Sequence, residues 1–246
     1  MNRLKTDAAA LSGTAPLSAF ADGADLARAG AAQTAEHLAA AIRDRGRATL
    51  LLAGGSTPAP MFRALATADL DWSKVTVAQV DERFVPPDSP QSNARMIRET
   101  LLTGPAAAAR FVPLWSAAAD LAAAADAADA AMAGLPRPWD VVVLGMGEDG
   151  HFASLFPGSA QLAAGLSPDT DRLCLAVDPH DPAPREPRLS LTLSTLLDAR
   201  HILLMIRGET KRGVVEAARA GDAVLPIHAV LSQSRAPLSL LWAPEA

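Results

Sequence analysis

The sequence predicts an α/β fold: a mostly parallel β-sheet with helices on both faces. Short apolar runs typical of strands alternate with segments of helical periodicity over most of the 246 residues. Three of these runs, at residues 48–53, 75–80 and 140–144, are each followed by glycine or charged residues. Parallel sheets hold their ligand sites at the carboxyl ends of strands. The three strand ends therefore predict an active site.

Helical spacing of apolar residues predicts three helices in the first half of the chain. Gly46 ends the first, Pro58 fits the first turn of the second, and Ser92 or Asn93 caps the third. They span about residues 25–45, 58–65 and 92–102. Residues 1–22 show no firm period, so we expect a loosely ordered lead-in there, before a single domain over residues 23–246.

The second half continues the alternation of strands and helices. Further strands are predicted at residues 111–114, 172–177, 201–206 and 238–242. An alanine-rich helix runs to Ala133, a helix capped by Ser190 runs to Leu197, and a third begins at Glu209 or Thr210. A proline-rich loop over residues 178–187 separates the strand at 172–177 from the Ser190 helix.

Composition excludes several classes of function. The net charge is −5 and no basic tract with interleaved aromatic residues occurs, which disfavours nucleic-acid binding. No apolar stretch approaches the length of a membrane span, and no secretion signal is evident at the start. Cys174 is the single cysteine, so no intramolecular disulfide forms. We expect a cytoplasmic protein that is a monomer or a weak homo-oligomer.

A glycine-rich loop, Gly54-Gly55-Ser56-Thr57-Pro58, lies between a predicted strand and a predicted helix. Glycines allow backbone N–H groups to approach an anion, and the two hydroxyls add donors. A phosphate is the natural ligand; the alternative is a tight turn followed by a helix cap. The loop matches neither the Walker pattern nor G-x-G-x-x-G, so no nucleotide is implied.

Charged residues follow the other two strands. Asp81-Glu82-Arg83 ends one of them, and the Arg83 guanidinium suits a carboxylate or a phosphate. A surface ion pair is the alternative. Asp149 and His151 follow the other strand, and a carboxylate beside a histidine holds it in one tautomer and makes it a better base. The alternative there is a capping aspartate and a structural histidine.

Cations further along the chain suit an anionic ligand. Arg188 ends the proline-rich loop, and Lys211 and Arg212 lie near the start of a predicted helix, where positive charge opposes the helix dipole. An anion between these side chains would explain the arrangement; a solvated helix face is the alternative. No His or Cys pair has zinc-ligand spacing, and we expect no catalytic metal.

These segments together resemble the 6-phosphogluconolactonases, in family order, over about residues 25–245. The segment LGMGEDGHFASLFP at 144–157 is the most specific. The others are AGGSTP at 53–58, DERFVP at 81–86, SN at 92–93 and RLSLT at 188–192. The resemblance implies a Rossmann-like sheet shared with sugar-phosphate isomerases and deaminases. It also implies hydrolysis of 6-phospho-D-glucono-1,5-lactone to 6-phospho-D-gluconate, in the oxidative pentose phosphate pathway, without a cofactor.

The resemblance also implies roles for individual residues. His151 would be the general base that activates water, and Asp149 would orient it. Arg83 would either stabilise the charge that develops on the carbonyl oxygen or hold the substrate. The residues implied to bind the substrate phosphate are Gly54, Gly55, Ser56, Thr57, Arg188 and Lys211; Asp81 and Gly147 would complete the substrate pocket.

Two other functions compete with the lactonase. Glucosamine-6-phosphate deaminases resemble this chain at the glycine loop and at Asp-Gly-His, but they carry a glutamate five residues after the histidine. Phe156 occupies that position here and cannot transfer protons. A non-catalytic sugar-phosphate sensor would usually carry a DNA-binding module, for which the chain has no spare segment.

Overall fold

A computed structural model describes residues 15–178 and 185–245. The strands within these ranges form a large sheet and a small one. They are β1 (Leu17–Ala19), β2 (Ala48–Leu52), β3 (Val75–Gln79), β4 (Asp81–Arg83), β5 (Arg110–Val112), β6 (Val141–Leu144), β7 (Cys174–Val177), β8 (Arg188–Leu191), β9 (Ile202–Arg207) and β10 (Leu238–Ala243).

Helices connect most of the strands. They are α1 (Gly23–Arg45), α2 (Ala59–Leu65), α3 (Asn93–Thr100), α4 (Leu121–Ala133), α5 (Leu162–Leu166), α6 (Leu193–Leu197), α7 (Glu209–Arg219) and α8 (His228–Leu231). Short 3-10 helices cover Trp72–Lys74 and Gly104–Ala108. Within the described residues, no helix has both the length and the apolar character that a membrane span requires.

The large sheet has seven strands in the order β1-β10-β9-β6-β2-β3-β5, and every pair in it is parallel. The predicted α/β fold class is therefore confirmed. From β2 the chain continues outward to β3 and β5, then returns to β6 on the other side of β2 and proceeds through β9 to β10. The strand order thus reverses between β2 and β6. In open α/β sheets, the loops at such a reversal separate and leave a crevice.

Both faces of the large sheet are buried, as the continuous apolar runs predict. Successive side chains of a strand point to opposite faces. On one face Leu50 and Val143 belong to a core that includes residues of α1, α2 and α3. On the other face Leu51 and Val142 belong to a core that includes residues of α4, α6, α7 and α8. The centre of the sheet therefore has no face open to solvent, and its functional groups lie at the strand ends.

Capping residues set the ends of the first helices. Asp22 precedes α1, and its carboxylate accepts hydrogen bonds of 2.8 Å from the N–H groups of Ala24 and Asp25. Gly46 ends α1 in the left-handed conformation, with φ at 70°, as predicted. Of the two caps proposed for α3, Ser92 is the one observed, because its hydroxyl accepts from the N–H of Arg95. The Asn93 side chain does not cap the helix; it is hydrogen-bonded to Arg83 and to the carbonyl oxygen of Asp81 instead.

The helix predicted from Ser190 to Leu197 is wrong at its start. Residues 188–191 form β8, which pairs antiparallel with β4 and β7 in the small sheet. Ser190 is buried in that strand, and Thr192 caps the short helix α6 instead. Pairing on both sides satisfies the backbone of this segment, so tertiary contacts override a local pattern that is compatible with a helix.

The expected lead-in is ordered at its carboxyl end. Residues 1–14 lie outside the described residues, but Leu17–Ala19 form the edge strand β1, parallel to β10. The N–H of Phe20 extends this ladder with a hydrogen bond to the carbonyl oxygen of Trp242. Residues 17–20 are therefore part of the sheet, although so short a segment cannot show a hydrophobic period.

A stacked pair of histidines lies at the amino end of β9. The rings of His37, on α1, and His201 are 4.1 Å apart between centroids. Burial, together with the neighbouring charge of His37, lowers the pKa of His201 to about 4. Its Nε2 atom is buried without a hydrogen-bond partner among the described residues, so nothing there compensates a proton on the ring.

We expect this pair to make folding sensitive to acid. As the pH falls below about 6.5 the unfolded chain protonates His201, whereas the folded chain does not until about pH 4. Stability is therefore lost through this window, by about 2 kcal/mol after allowance for partial exposure. His201→Phe keeps the stack and removes the titration. Urea unfolding at about pH 7 and about pH 4.5 should show a smaller acid loss in the variant; equal losses in both proteins would contradict the assignment.

Candidate active site

A cleft of about 230 Å³ opens at the carboxyl ends of β2 and β6, where the strand order reverses. Loops after β2 and β6 form its two sides, and residues from β4, α3, β8 and α7 complete it. The lining residues are Ala53, Gly54, Gly55, Ser56, Thr57, Pro58, Asp81, Arg83, Asn93, Gly145, Met146, Gly147, His151, Ala153, Arg188 and Lys211. Three cations and one carboxylate line it, so the cleft is locally positive in a chain whose net charge is −5.

The glycine loop after β2 forms one side of the cleft. The N–H of Ala53 donates to the carbonyl oxygen of Val143, so the loop leaves the sheet beside β6. Gly55 has a φ of 116°, which side chains disfavour. A Cβ atom on Gly54 would lie only 2.0 Å from Oδ1 of Asn93. Glycine at position 54 therefore allows the loop backbone to lie directly against the Asn93 side chain.

His151 and Asp149 form a hydrogen-bonded pair on the opposite side. His151 Nδ1 is 2.6 Å from Asp149 Oδ1, which also accepts the N–H of His151. Partial burial raises the pKa of Asp149, but the hydrogen bonds and charge of His151 outweigh it, so the pKa is lowered overall. Because the carboxylate is ionised it accepts, and Nδ1 donates. Nε2 is then the basic nitrogen of the neutral ring.

Backbone contacts hold this loop. The N–H of Gly147 donates to the carbonyl oxygen of His151, and the N–H of Ile227 donates to that of Gly150. A Cβ on Gly147 would lie 2.2 Å from His151 Nδ1 and 2.5 Å from Asp149 Oδ1. Only glycine allows the imidazole and the carboxylate to fold back over the loop in this way. Phe156 packs against the imidazole, with 4.2 Å between the ring centroids.

Arg83 is held by the first turn of α3. One terminal nitrogen, NH1, donates to the carbonyl oxygen of Gln91 and to Oδ1 of Asn93, at 2.6 and 2.9 Å. Asn93 Nδ2 in turn donates to the carbonyl oxygen of Asp81 at 3.0 Å, and Ser154 Oγ donates to the Asp81 carboxylate. Sequence reasoning considered Asn93 only as a possible cap. The feature of the sequence that could have identified Asn93 as a site residue is its place in the segment at 92–93, which resembles the family.

Arg188 lies directly opposite Arg83 in the pairing of β8 with β4. Like charges at such positions repel, so this arrangement favours an anion between or beside them. Burial lowers the pKa of Arg188; the Asp81 carboxylate opposes this effect and the Arg83 charge adds to it. The Nε atoms of Arg83 and Arg188 are buried and have no hydrogen-bond partner in the described part of the chain.

Lys211 extends the positive side of the cleft. It lies in the first turn of α7 and also lines an adjoining cavity of about 330 Å³, formed with Ser56, Thr57, Arg207 and Glu245. Sequence reasoning did not select Arg207, because it ends a buried strand without a recognisable motif.

Arg212 was considered together with Lys211, but it does not line the cleft. It pairs with Glu209 and Glu216 on α7 and stacks over Trp242. It belongs to the solvated face of that helix.

The structure brings the predicted site residues together. Ten of the eleven line the cleft, and Asp149 lies behind His151 as its hydrogen-bond partner. Among the described residues, no group of three His, Cys, Asp or Glu side chains is placed to hold a metal ion. One cleft thus contains the imidazole of His151, the glycine loop with its hydroxyls, and three cations, of which Arg188 lies over the Phe156 ring that packs against His151. A histidine held by a carboxylate is suited to accept a proton from a group bound beside it.

Comparison with known proteins gives consistent results. A family model described as glucosamine-6-phosphate isomerases/6-phosphogluconolactonase matches residues 21–242. A 6-phosphogluconolactonase of Rhizobium meliloti is 47% identical over 227 residues, covering 92% of this chain and 97% of the relative. One from Mesorhizobium japonicum is 48% identical, with 92% and 94% covered.

A solved structure extends the likeness to three dimensions. The crystal structure of a 6-phosphogluconolactonase from Shewanella baltica superposes with a TM-score of 0.89 at 39% identity, covering 93% of this chain and 97% of that one. The match in sequence, length and three-dimensional structure spans the sheet and the cleft together. The chain belongs to the glucosamine-6-phosphate isomerase/6-phosphogluconolactonase family.

Proposed function

We propose that this protein hydrolyses 6-phospho-D-glucono-1,5-lactone to 6-phospho-D-gluconate, a reaction of the oxidative pentose phosphate pathway. One observation carries the proposal: a histidine oriented by a carboxylate shares a cleft with a glycine loop and three cations. The names of the relatives support this choice of substrate. The chemistry needs only water as a second reactant.

In the proposed mechanism, His151 Nε2 removes a proton from water as the water oxygen bonds to the lactone carbonyl carbon. The carbonyl π electrons move to its oxygen, which becomes an oxyanion. As this tetrahedral intermediate collapses, the bond between the carbonyl carbon and the ring oxygen breaks. The imidazolium returns its proton to the departing ring oxygen, and the product is a hydroxy acid. Asp149 stabilises the transient imidazolium and keeps Nε2 basic.

Arg83 is the candidate for the charge that develops on the carbonyl oxygen. Asn93 and Gln91 accept hydrogen bonds from its NH1 group, and the guanidinium lines the cleft. A fixed guanidinium stabilises an oxyanion without reorganising during the reaction. The same contacts suit a role in holding the substrate, and the split between kcat and KM in Arg83→Ala distinguishes the two roles.

The phosphate is proposed to bind in the same cleft, beside the glycine loop. The residues assigned to it are Gly54, Gly55, Ser56, Thr57, Arg188 and Lys211, all of which line the cleft. Binding energy from a group remote from the reacting carbon can position the lactone for attack. Asp81 and Gly147 complete the pocket around the sugar ring.

The lactonase is preferred over a deaminase because of Phe156. Its ring packs on the imidazole of His151, where the deaminases of this family carry a proton-transferring glutamate. An apolar ring there protects the base but performs no acid chemistry. Release of ammonia from glucosamine 6-phosphate at a rate comparable to lactone hydrolysis would favour the alternative.

We expect His151→Ala to lower kcat by about 10² to 10⁴, the usual contribution of a general base. Freshly prepared lactone and a fast assay of acid release are required, since the lactone opens spontaneously. His37→Ala is the matched control, because that histidine is half-buried and does not line the cleft. Its turnover should match that of the parent. A kcat of His151→Ala equal to that of the parent would contradict the proposed mechanism.

We expect Lys211→Ala to raise KM for the phosphorylated lactone by about 10- to 100-fold, because a charge-assisted hydrogen bond is lost. Arg188→Ala should act in the same direction. Neither change should affect hydrolysis of unphosphorylated gluconolactone to that extent. Arg212→Ala, the adjacent cation on α7 that pairs with Glu209 and Glu216, is the control. An equal loss on both lactones would count against a phosphate role.

A further inference from the structure

Glu82 is a completely buried carboxylate between Asp81 and Arg83, and it does not line the cleft. Its Oε1 atom accepts from the N–H groups of Arg83 and Asn93, at 2.8 and 2.7 Å. Its Oε2 atom accepts from the N–H of Ala94, from Gln79 Nε2 and from Ser92 Oγ, at 2.7, 2.7 and 3.1 Å. Five donors thus converge on one side chain, although the proposed chemistry does not use it.

These hydrogen bonds join β3, β4 and the first turn of α3 at one point. Two of the donors are the N–H groups of Asn93 and Ala94, the first residues of α3, so the carboxylate determines where the helix begins relative to β4. Buried charges are costly unless they are fully hydrogen-bonded. Because displacement would break these hydrogen bonds, the Glu82 carboxylate fixes the start of α3 relative to β4.

Asn93 transmits the position of that turn to the cleft. Its Oδ1 accepts from Arg83 NH1, and its Nδ2 donates to the Asp81 carbonyl oxygen. The backbone of Gly54 lies against the same side chain, because a Cβ there would lie 2.0 Å from Asn93 Oδ1. A shift of Asn93 would move the Arg83 guanidinium and the support of the glycine loop together.

We propose that Glu82 is a positioning residue of the lactonase: it anchors the first turn of α3 so that Asn93 holds Arg83 in its working orientation. The inference rests on the role proposed for Arg83. Glu82 touches no substrate in this scheme. It acts through Asn93 and through the backbone of Arg83, to which it is also hydrogen-bonded.

The geometry explains why a carboxylate is needed rather than an amide. In Glu82→Gln, an NH₂ group at the Oε1 position would face the N–H donors of Arg83 and Asn93. At the Oε2 position it would face the N–H of Ala94. A backbone N–H group can only donate a hydrogen bond. In either orientation of the amide, at least one backbone N–H would therefore face an NH₂ group instead of an acceptor. The substitution therefore changes the position of the turn while leaving the side-chain volume nearly unchanged.

Asp140 provides a matched control. It is also a buried carboxylate, and it accepts from the N–H and Oγ1 of Thr49 and from Arg45. However, it precedes β6, at the opposite end of the strand from the cleft. Asp140→Asn should therefore lower the midpoint of thermal unfolding, as Glu82→Gln does, without affecting the site.

We expect Glu82→Gln to lower kcat/KM for the phosphorylated lactone by about 10- to 100-fold, the scale expected for a small misplacement of a catalytic group. Asp140→Asn should stay within about twofold of the parent. Assays are made well below both unfolding midpoints. If Glu82→Gln keeps the parental kcat/KM, or if Asp140→Asn loses as much, the proposal is overturned, since the loss would then be absent or would follow stability alone.

A double-mutant cycle with Arg83→Ala tests the route of the effect. With Arg83 absent, Glu82→Gln should lower kcat/KM by a clearly smaller factor than in the parent, because only its effect on the glycine loop then remains, whereas its effect on the unfolding midpoint should persist. A full additional loss would show that Glu82 does not act through Arg83. Parental rates in Arg83→Ala alone would contradict the role proposed for Arg83. Parental rates in Glu82→Gln, beside a loss in Arg83→Ala, would contradict only the positioning role.

If Glu82→Gln does not fold, Asn93→Ala replaces it in the cycle. That change leaves the backbone donors to Glu82 in place and removes the side chain that holds Arg83 NH1. The same loss in kcat/KM, again clearly smaller in the Arg83→Ala background, is expected. Parental kcat/KM in folded Asn93→Ala would overturn the proposal.

Discussion

The parallel pairing of β2 with β6 is the constraint on which the site depends. Leu50, Leu51 and Leu52 pair with Val141, Val142 and Val143, so both strands end at the same edge of the sheet. Because the chain leaves this pair toward opposite edges, the loops after the two strands separate rather than pack together. The cleft forms between them. The apolar core on both faces of the sheet keeps these strands in register, and hence keeps the glycine loop opposite His151.

Close approach of the backbone is the second requirement. At Gly54 and Gly147 an added Cβ would collide with Asn93 or with the His151–Asp149 pair. At these two positions glycine matters for the space it leaves, since neither has the left-handed conformation. Side chains that carry chemistry can then lie against the main chain, where N–H groups and carboxylates orient them. Because Gly54 has no side chain, Asn93 can contact the glycine loop while it is hydrogen-bonded to Arg83 and Asp81.

The small antiparallel sheet contributes the charges. It places Arg83 and Arg188 opposite one another, at an electrostatic cost that a bound anion would offset. Buried carboxylates at Asp81 and Glu82 belong to the same strand as Arg83; Glu82 accepts five hydrogen bonds, and Asp81 accepts one from Ser154 Oγ. This part of the molecule was the least predictable, because its three strands are short and β4 lies far along the chain from β7 and β8. The segment from Ser190 shows the difficulty, since its apolar spacing fits a helix and only its pairing partners make part of it a strand.

Local chemistry in the sequence was sufficient for most strands of the large sheet, for the glycine loops and for the pairing of Asp149 with His151. These features depend on periodicity, on backbone conformation, or on side chains two residues apart. Tertiary structure alone decided that Arg83 faces Arg188, that Asn93 holds Arg83, and that Glu82 anchors both. Those contacts depend on strand register and on where a helix begins. Long-range packing sets both, and no local pattern encodes either.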